Sequence, residues 1–324
     1  KPSDRAGYHQ IQMVTGTVVP SQRPDSEMGG CWKKLLLTLV MIKFEHSVFA
    51  LPFAMVGAML AARELDFLVQ RPGWKLFWII VAMVAARSAA MTFNRIADAD
   101  LDARNPRTRN RPLPAGQLSK RFAWFFLAAC IGVFWLAAWQ LNPLCFRLAP
   151  VALGVLLGYS YTKRFTALSH LVLGLALGIS PAAAWIAVTG SFDARILWLT
   201  AAVMFWTAGF DIIYACQDYD FDRAENLFSV PCLVGIGPAL WISRALHTLM
   251  FLCLIALIWV FRLGASSLAG LGLVGALLVW EHSLVSANDL SRVDAAFFMV
   301  NGYISVLFSL FLAADILWLQ GAMG

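Results

Sequence analysis

The stretch "FWIIVAMVAARSAAMTFNRIADADLDARNPRT", residues 77–108, joins a long apolar run to a cluster of carboxylates. About 20 apolar residues are enough for a helix to cross the hydrocarbon core of a bilayer, which is about 30 Å thick. No water is available there, so the backbone must satisfy its own hydrogen bonds within the helix. The stretch therefore predicts a membrane-spanning helix that ends on acidic side chains.

The rest of the chain repeats this apolar pattern. Of its 324 residues, 60% are hydrophobic and only 14% are charged, whereas about a quarter of the residues of a soluble domain are charged. Because the connections are short, we predict an all-α membrane protein with one bundle of about nine transmembrane helices. The nine apolar runs lie at about residues 34–62, 74–97, 119–140, 145–162, 168–189, 194–217, 236–262, 264–287 and 294–320.

The first 33 residues are different in composition. They are polar and rich in Pro, Ser and Gly, and they lack the apolar segment of a secretory signal peptide. We expect a flexible N-terminal tail or an appended leader at 1–33, followed by a single transmembrane domain at 34–324.

The net charge of +6 is unevenly distributed. Lys and Arg concentrate in the even-numbered connections, which the positive-inside rule places in the cytoplasm together with the N-terminus. A nucleic-acid-binding face is excluded, because the arginines adjoin spans and lack interleaved aromatic residues. The basic residues are Arg104, Arg107, Arg109, Arg111, Lys120 and Arg121 in the second connection, Lys163 and Arg164 in the fourth, Arg223 and Arg244 around the sixth, and Arg292 in the eighth.

Two carboxylate clusters share one spacing. Asn94, Asp98 and Asp102 are four residues apart, as are Asp218 and Asp222. On a helix, this spacing places the side chains on one face. Both clusters end an apolar span at a predicted cytoplasmic end, which points to a duplicated device that lines a cytoplasm-facing cavity.

Stacked carboxylates repel one another unless a cation lies between them. Oxygen ligands suit Mg²⁺, which proteins usually hold with one or two carboxylates together with substrate phosphates. The two clusters therefore predict Mg²⁺ held against a diphosphate, the chemistry that activates allylic diphosphates. A calcium-loop interpretation fails, because Ala103 or Arg223 replaces the required Gly and Arg109 or Ser229 the final Glu. A merely solvated helix end is the alternative for either cluster alone.

Further polar residues lie within or beside the spans. Arg87 is seven residues before Asn94 and could receive the carboxylate of an acidic substrate; a structural ion pair is the alternative. Tyr159 and Lys163 share a helix face, where Lys could bind phosphate and Tyr could donate a hydrogen bond; membrane anchoring is the alternative for Lys163. Lys43 could contact the diphosphate or extend to the membrane surface.

With these residues in view, the chain resembles the UbiA superfamily of intramembrane prenyltransferases. The first cluster matches the motif N-x-x-x-D-x-x-x-D, and "DIIYACQDYDFD" from Asp211 matches D-x-x-Y-A-x-x-D-x-x-x-D. "YSYTK" matches Y-x-x-x-K, and "NPRTRNRPLPAG" resembles the loop after the first motif. Two positions depart from the pattern: Arg95 stands where Asp is common, and Phe228 where His commonly precedes the Ser.

The resemblance is strongest to the bacterial 4-hydroxybenzoate polyprenyltransferase-like branch. It implies Mg²⁺-dependent transfer of a polyprenyl group from polyprenyl diphosphate to 4-hydroxybenzoate, in ubiquinone biosynthesis. Prenylation of 1,4-dihydroxy-6-naphthoate in futalosine-route menaquinone biosynthesis is the alternative within this branch. The implied location is the bacterial inner membrane, among membrane lipids, with no obligate protein partner.

The resemblance also implies roles for individual residues. Asp211 is the candidate base, and Tyr214 contributes to substrate binding. The polyprenyl tail is expected in an apolar channel that opens sideways to lipid. Other prenylations in the superfamily, such as lipid-ether, chlorophyll or haem prenylation, stay open. A cation transporter or channel is a distant alternative, disfavoured because such carboxylates belong near mid-membrane. The implied Mg²⁺ ligands are Asn94, Asp98, Asp102, Asp218 and Asp222.

Overall fold

The computed structural model describes residues 30–42 and 51–323, and almost all of these residues are helical. Short 3₁₀ turns at Ala194–Ile196 and Cys216–Asp218 and a π-helix at Ala295–Val300 accompany the α-helices. The α-helices are α1 Gly30–Met41, α2 Leu51–Glu64, α3 Pro72–Ala97, α4 Ala99–Arg104, α5 Lys120–Leu141, α6 Pro143–Thr162, α7 Ser169–Thr189, α8 Leu197–Ala215, α9 Tyr219–Ala224, α10 Val230–Val234, α11 Ile236–Val260, α12 Ala265–Ser283 and α13 Asn301–Met323.

The protein is a multi-pass membrane protein. In the part of the chain that the structure describes, eight helical segments are long and apolar enough to cross a bilayer. They correspond to the predicted spans from 74–97 onward. The remaining predicted span, 34–62, corresponds to α1 and α2 on either side of residues 43–50, which lie outside the described ranges. The count of nine therefore stays a prediction.

Helix boundaries follow from local capping chemistry. Ser119 accepts a hydrogen bond from the backbone N–H of Phe122 (3.2 Å) at the start of α5. Asn142 separates α5 from α6, accepts from the N–H of Cys145 (2.9 Å) and is followed by Pro143. Asn at an N-cap and Pro directly after it are both favoured helix starts. α5 and α6 are therefore neighbouring helices connected by Asn142 alone.

The centre of the bundle is the pair α7 and α8, with α2 packed on α7 and α11 on α8. Gly174 and Gly178 form a G-x-x-x-G pattern on α7, and both face the backbone of α8. Without a side chain in the way, the two helix backbones approach closely, which is how many membrane helices associate. This contact fixes the position of α8, which carries the second acidic motif.

Replacing Gly178 by Ala should destabilise the bundle by about 1–3 kcal/mol, the usual cost of overpacking. The added Cβ would lie 2.7 Å from the carbonyl oxygen of Thr200, which is closer than real Cβ atoms come. Gly154→Ala on α6 is the matched control, because nothing lies within 4 Å of its added Cβ. The midpoints of thermal unfolding in detergent test this; equal midpoints for the two variants would contradict it.

The connections gather at two opposite ends of the bundle. At one end, Arg195 pairs with Glu64 at 2.7 Å. At the other, the arginine-rich connections meet, with Arg104 and Glu225 paired at 3.0 Å. We call this second end the basic end. The even-numbered connections therefore share one end, as their charge predicted.

Candidate active site

A cavity of about 300 Å³ opens at the basic end. It is bordered by α3, α6, α7 and α8 and by the connections after α3 and α8, so both acidic motifs face the same space. Lys43 belongs to residues 43–50 and lies outside the described ranges. All other predicted site residues line the cavity: Arg87, Asn94, Asp98, Asp102, Tyr159, Lys163, Asp211, Tyr214, Asp218 and Asp222.

Each motif contains a helix break at one of its Asp residues. Asp98 separates α3 from α4 with φ −96° and ψ 4°, and Asp218 precedes α9 with φ −98° and ψ 9°. The first motif therefore does not lie on one uninterrupted helix, as the spacing suggested. The N–H of Asp98 still bonds to the carbonyl of Asn94 (2.9 Å), and that of Asp102 to the carbonyl of Asp98 (2.7 Å). The four-residue register survives, and the side chains share the cavity.

Asp98 is the most deeply buried carboxylate of the first motif, with 3% of the residue exposed. Its side chain accepts a hydrogen bond from Asn94 Nδ2 at 3.1 Å. Lys163 Nζ lies 2.9 Å from one carboxylate oxygen, and Arg164 Nη2 lies 3.5 Å from the other. The predicted Tyr-x-x-x-Lys element thus delivers a cation to the first motif from α6.

Asp102 is held by two arginines. Arg111 Nη1 lies 2.8 Å from both carboxylate oxygens, and Arg95 Nη1 lies 3.9 Å from one of them. Arg95 is buried and also donates from Nε to the carbonyl of Met41 (3.3 Å). The Arg at this position, where the family pattern commonly has Asp, therefore joins α1 to the first motif.

The second motif is bound by the loop that follows the first. We call residues 103–116 the arginine loop. Arg107 donates from Nε to Asp218 Oδ1 (2.9 Å) and pairs through Nη2 with Oδ2, and Asn105 Nδ2 donates to Oδ1 at 3.1 Å. Arg107 also donates to the hydroxyl of Tyr214 (2.8 Å). The loop thus bridges both motifs.

The Arg107 guanidinium is charged in this setting. Burial by itself lowers its pKa, but the hydrogen bond and the charge of Asp218 outweigh burial and raise the pKa above its ordinary value. Sequence reasoning left open whether the loop arginines serve the site or only the orientation. Arg107 and Arg111 line the cavity, whereas Arg109 is exposed outside it.

Asp211 lies on α8 and is bound by a residue that sequence reasoning did not assign. His170 Nδ1, near the start of α7, is 2.7 Å from Asp211 Oδ2. His170 Nε2 accepts a hydrogen bond from the backbone N–H of Val230 at 3.2 Å. A polar His at the start of an otherwise apolar run was the available signal, but its partner is 41 residues away in the chain.

Arg87 occupies the boundary between the polar cavity and a second, apolar cavity of about 360 Å³. Among the described residues Arg87 has no ion-pair partner, and its buried Nε has no hydrogen-bond acceptor. The ion-pair alternative for Arg87 is therefore not supported there. Tyr159 also lines both cavities.

The apolar cavity extends toward the lipid-facing surface. Its lining includes Val84 on α3 and Leu148 and Val151 on α6, which are 37%, 41% and 64% exposed. In a membrane-spanning bundle these outward side chains face acyl chains. The two cavities together form a space that is polar at the basic end and apolar toward the bilayer.

An aromatic wall borders the polar cavity beside Asp211. The rings of Tyr214 and Phe297 have centroids 4.3 Å apart, and those of Phe210 and Phe297 are 5.2 Å apart. Phe297 belongs to the π-helix before α13, a local irregularity often found at functional sites. Its place in the site was not predicted, because it lies far along the chain from both motifs.

The oxygen atoms around the polar cavity suit Mg²⁺. Within residues 30–42 and 51–323, no three His, Cys, Asp or Glu side chains converge as a complete metal site. Such a site is not required for Mg²⁺, which takes few protein carboxylates and completes its shell with phosphate and water. Asp98 and Asp218 supply one carboxylate from each motif to the shared cavity, each now balanced by Lys or Arg. The residues fit a metal–diphosphate complex.

Comparisons with known proteins agree with this architecture. A model of the UbiA prenyltransferase family matches residues 50–302. The chain is 31% identical to 4-hydroxybenzoate octaprenyltransferase of Cronobacter sakazakii, over 77% of this chain and 87% of that protein. The apo structure of a UbiA homologue from Aeropyrum pernix K1 matches with TM-score 0.75 and 34% identity, over 84% of this chain and 98% of that one. A UbiA homologue from Archaeoglobus fulgidus bound to GPP and Mg²⁺ shares the fold, with TM-score 0.65 and 19% identity, over 86% and 99%.

Proposed function

The chain belongs to the UbiA prenyltransferase family, and from this premise we propose that it transfers a polyprenyl group from polyprenyl diphosphate to 4-hydroxybenzoate with Mg²⁺. The observation that carries the proposal is the arrangement of two acidic motifs and Arg87 around one cavity that adjoins an apolar one. The name of the Cronobacter sakazakii relative supports the acceptor. The Archaeoglobus fulgidus structure with GPP and Mg²⁺ supports the donor and the metal.

The diphosphate binds between the two motifs. Mg²⁺ bound by Asn94, Asp98, Asp102, Asp218 and Asp222 would stabilise negative charge on the leaving diphosphate. Lys163, Arg107 and Arg111 already lie at these carboxylates. These side chains would bind the diphosphate oxygens. Preorganised cations stabilise the negative charge that develops on the diphosphate as the C–O bond breaks.

The reaction replaces a ring proton by the prenyl group. The allylic C–O bond breaks, and its electron pair leaves with the diphosphate. The ring carbon ortho to the phenolic hydroxyl attacks the allylic cation with a π-electron pair and forms the new C–C bond. The proton on that carbon passes to Asp211, the base we assign because it lies in the same cavity, beside Tyr214. The acceptor ring packs against Phe297 and Tyr214.

The polyprenyl tail occupies the apolar cavity. That cavity shares Met91, Leu173 and Leu177 with the polar one and reaches the lipid-facing residues Val84 and Val151. A lipid-soluble substrate can thus enter sideways, while the diphosphate stays at the basic end. By the positive-inside rule the basic end faces the cytoplasm of a bacterial cell, and the bundle lies in its inner membrane.

A direct assay tests the proposal. Purified protein would receive a polyprenyl diphosphate, Mg²⁺, 4-hydroxybenzoate and 1,4-dihydroxy-6-naphthoate, and mass spectrometry would identify the products. We expect prenylated 4-hydroxybenzoate to predominate and the product to disappear when EDTA removes the metal. If only the naphthoate is prenylated, the acceptor is 1,4-dihydroxy-6-naphthoate, as in the menaquinone alternative. No product with either acceptor would contradict both.

Arg87 should decide recognition of an acidic acceptor. Replacing it by Met removes the charge but keeps an unbranched apolar chain. A hydrogen bond to a charged group contributes about 1.5–3 kcal/mol, so KM for 4-hydroxybenzoate should rise about 10- to 100-fold. KM for the prenyl diphosphate should not change. Steady-state kinetics with 4-hydroxybenzyl alcohol, which has no carboxylate, provide the control. An equal loss with both acceptors would show that Arg87 does not bind the carboxylate.

A further inference from the structure

We propose that His170 is a positioning residue that orients Asp211 for proton transfer and fixes which of its oxygens is left to accept the proton. This role rests on the proposed function, in which Asp211 is the base. His170 does not contact the reacting atoms itself. It connects α7, α8 and the start of α10 through two hydrogen bonds: Nδ1 bonds to Asp211, and Nε2 accepts from the N–H of Val230.

The hydrogen bond from Val230 sets the tautomer of the imidazole. Val230 is the first residue of α10, so its N–H has no partner within the helix. Ser229 caps α10 by accepting from the N–H of Cys232, and this leaves the Val230 N–H to donate to His170 Nε2 at 3.2 Å. A ring nitrogen that accepts an N–H cannot carry a proton. The imidazole proton therefore resides on Nδ1.

The tautomer in turn determines what Asp211 does. With its proton on Nδ1, His170 donates to Asp211 Oδ2 at 2.7 Å, and the carboxylate is the acceptor. Oδ2 is thereby occupied, and Oδ1 remains for the proton that leaves the acceptor ring. The His170 side chain is 6% exposed and that of Asp211 24%, so the pair is shielded on the imidazole side and open on the carboxylate side.

The same contacts keep His170 out of the proton transfer itself. Nδ1 already carries a proton, and the lone pair of Nε2 is engaged by Val230. The proton therefore stays on Asp211 until it leaves through the cavity. His170 acts by holding the carboxylate of Asp211 in position. Misplacing a reacting group by about 1 Å can lower the reaction rate about 100-fold.

Three substitutions separate positioning from a purely structural role. His170→Phe removes the donor to Asp211. His170→Asn places an amide N–H where Nδ1 was but does not reach Val230. Val230→Pro removes the backbone N–H and replaces the isopropyl side chain by a pyrrolidine ring, at a first helical position where Pro is accepted and after a Ser229 that is already extended. Each variant is assayed for kcat, for KM of both substrates and for thermal unfolding, beside Asp211→Asn.

We expect His170→Phe to lower kcat about 10- to 100-fold with both KM values unchanged. His170→Asn should recover kcat to within about fivefold of wild type, and Val230→Pro should lower kcat about fivefold, the worth of one neutral hydrogen bond. Wild-type kcat in His170→Phe would overturn the proposal. So would equal losses of kcat and thermal stability in the Phe and Asn variants, because that pattern means a structural role.

The failure of the proposed function looks different in the same experiment. If the wild-type protein forms no prenylated product, the proposed reaction fails before any variant is compared. If product forms and Asp211→Asn keeps full kcat, Asp211 is not the base, and His170 has no base to position. Product formation with a slow Asp211→Asn variant and an unaffected His170→Phe variant rejects only the inference on His170.

Discussion

Asp98→Asn and Asp218→Asn should each lower the rate of prenyl transfer about 100- to 1000-fold, whereas Asp100→Asn and Asp220→Asn should leave it unchanged. Removing one preorganised group that stabilises the charge developing in the transition state typically lowers kcat about 100- to 1000-fold. Asp98 and Asp218 line the cavity. Asp100 and Asp220 lie two residues further along the chain but are exposed, and the Asp100 side chain is 90% exposed beside Lys120.

The four variants form matched pairs, because each pair makes the same chemical change in the same segment. The measurement is the initial rate at several Mg²⁺ concentrations, together with thermal unfolding to confirm that each variant folds. The Asp98 and Asp218 variants should need more Mg²⁺ than the controls. Rates that fall equally at Asp98 and Asp100 would show that the loss comes from local charge and not from the cavity.

Arg107→Ala should lower kcat/KM for the prenyl diphosphate about 100-fold, and Arg109→Ala should not. Arg107 is the cation that joins the arginine loop to Asp218 and Tyr214. Its planar fork provides parallel hydrogen bonds that Lys cannot reproduce, so Arg107→Lys should recover only part of the loss. Arg109 lies two residues after Arg107 in the same loop, is exposed, and does not line the cavity.

A double variant tests whether Arg107 acts with Asp218. If both serve the same diphosphate, the combined change of Arg107→Ala and Asp218→Asn should cost less than the sum of the two single losses. Steady-state kinetics with the prenyl diphosphate varied provide the values. Additive losses would mean that the two residues act independently, and an unchanged kcat/KM in Arg107→Ala would remove the loop from the binding site.

The spans were predictable because their signal is local. A helix in hydrocarbon satisfies its own backbone, so length and hydropathy within one segment decide whether it crosses the bilayer. The structure confirms the predicted spans from 74–97 onward as helices. For 34–62, residues 43–50 lie outside the described ranges, so one span there stays a prediction.

The candidate site was predictable in composition but not in its contacts. Spacing of four residues put Asp98 and Asp102 on one face, and the resemblance supplied Asp211. The breaks at Asp98 and Asp218 were missed, since nothing in the adjoining residues requires them. The partner His170 was missed because the packing of α7 on α8 creates that contact, and packing joins residues that are distant in the chain.

The sequence by itself determined that this protein is a helical membrane protein with two acidic motifs at span ends, because hydropathy and four-residue spacing act within single helices. Only the tertiary structure decided that the motifs share one cavity, that the arginine loop bridges them and that Arg87 lies between polar and apolar space. Those facts depend on which helix faces meet. Close contacts such as that of Gly178 with Thr200 set this choice, and they exist only once the bundle is packed.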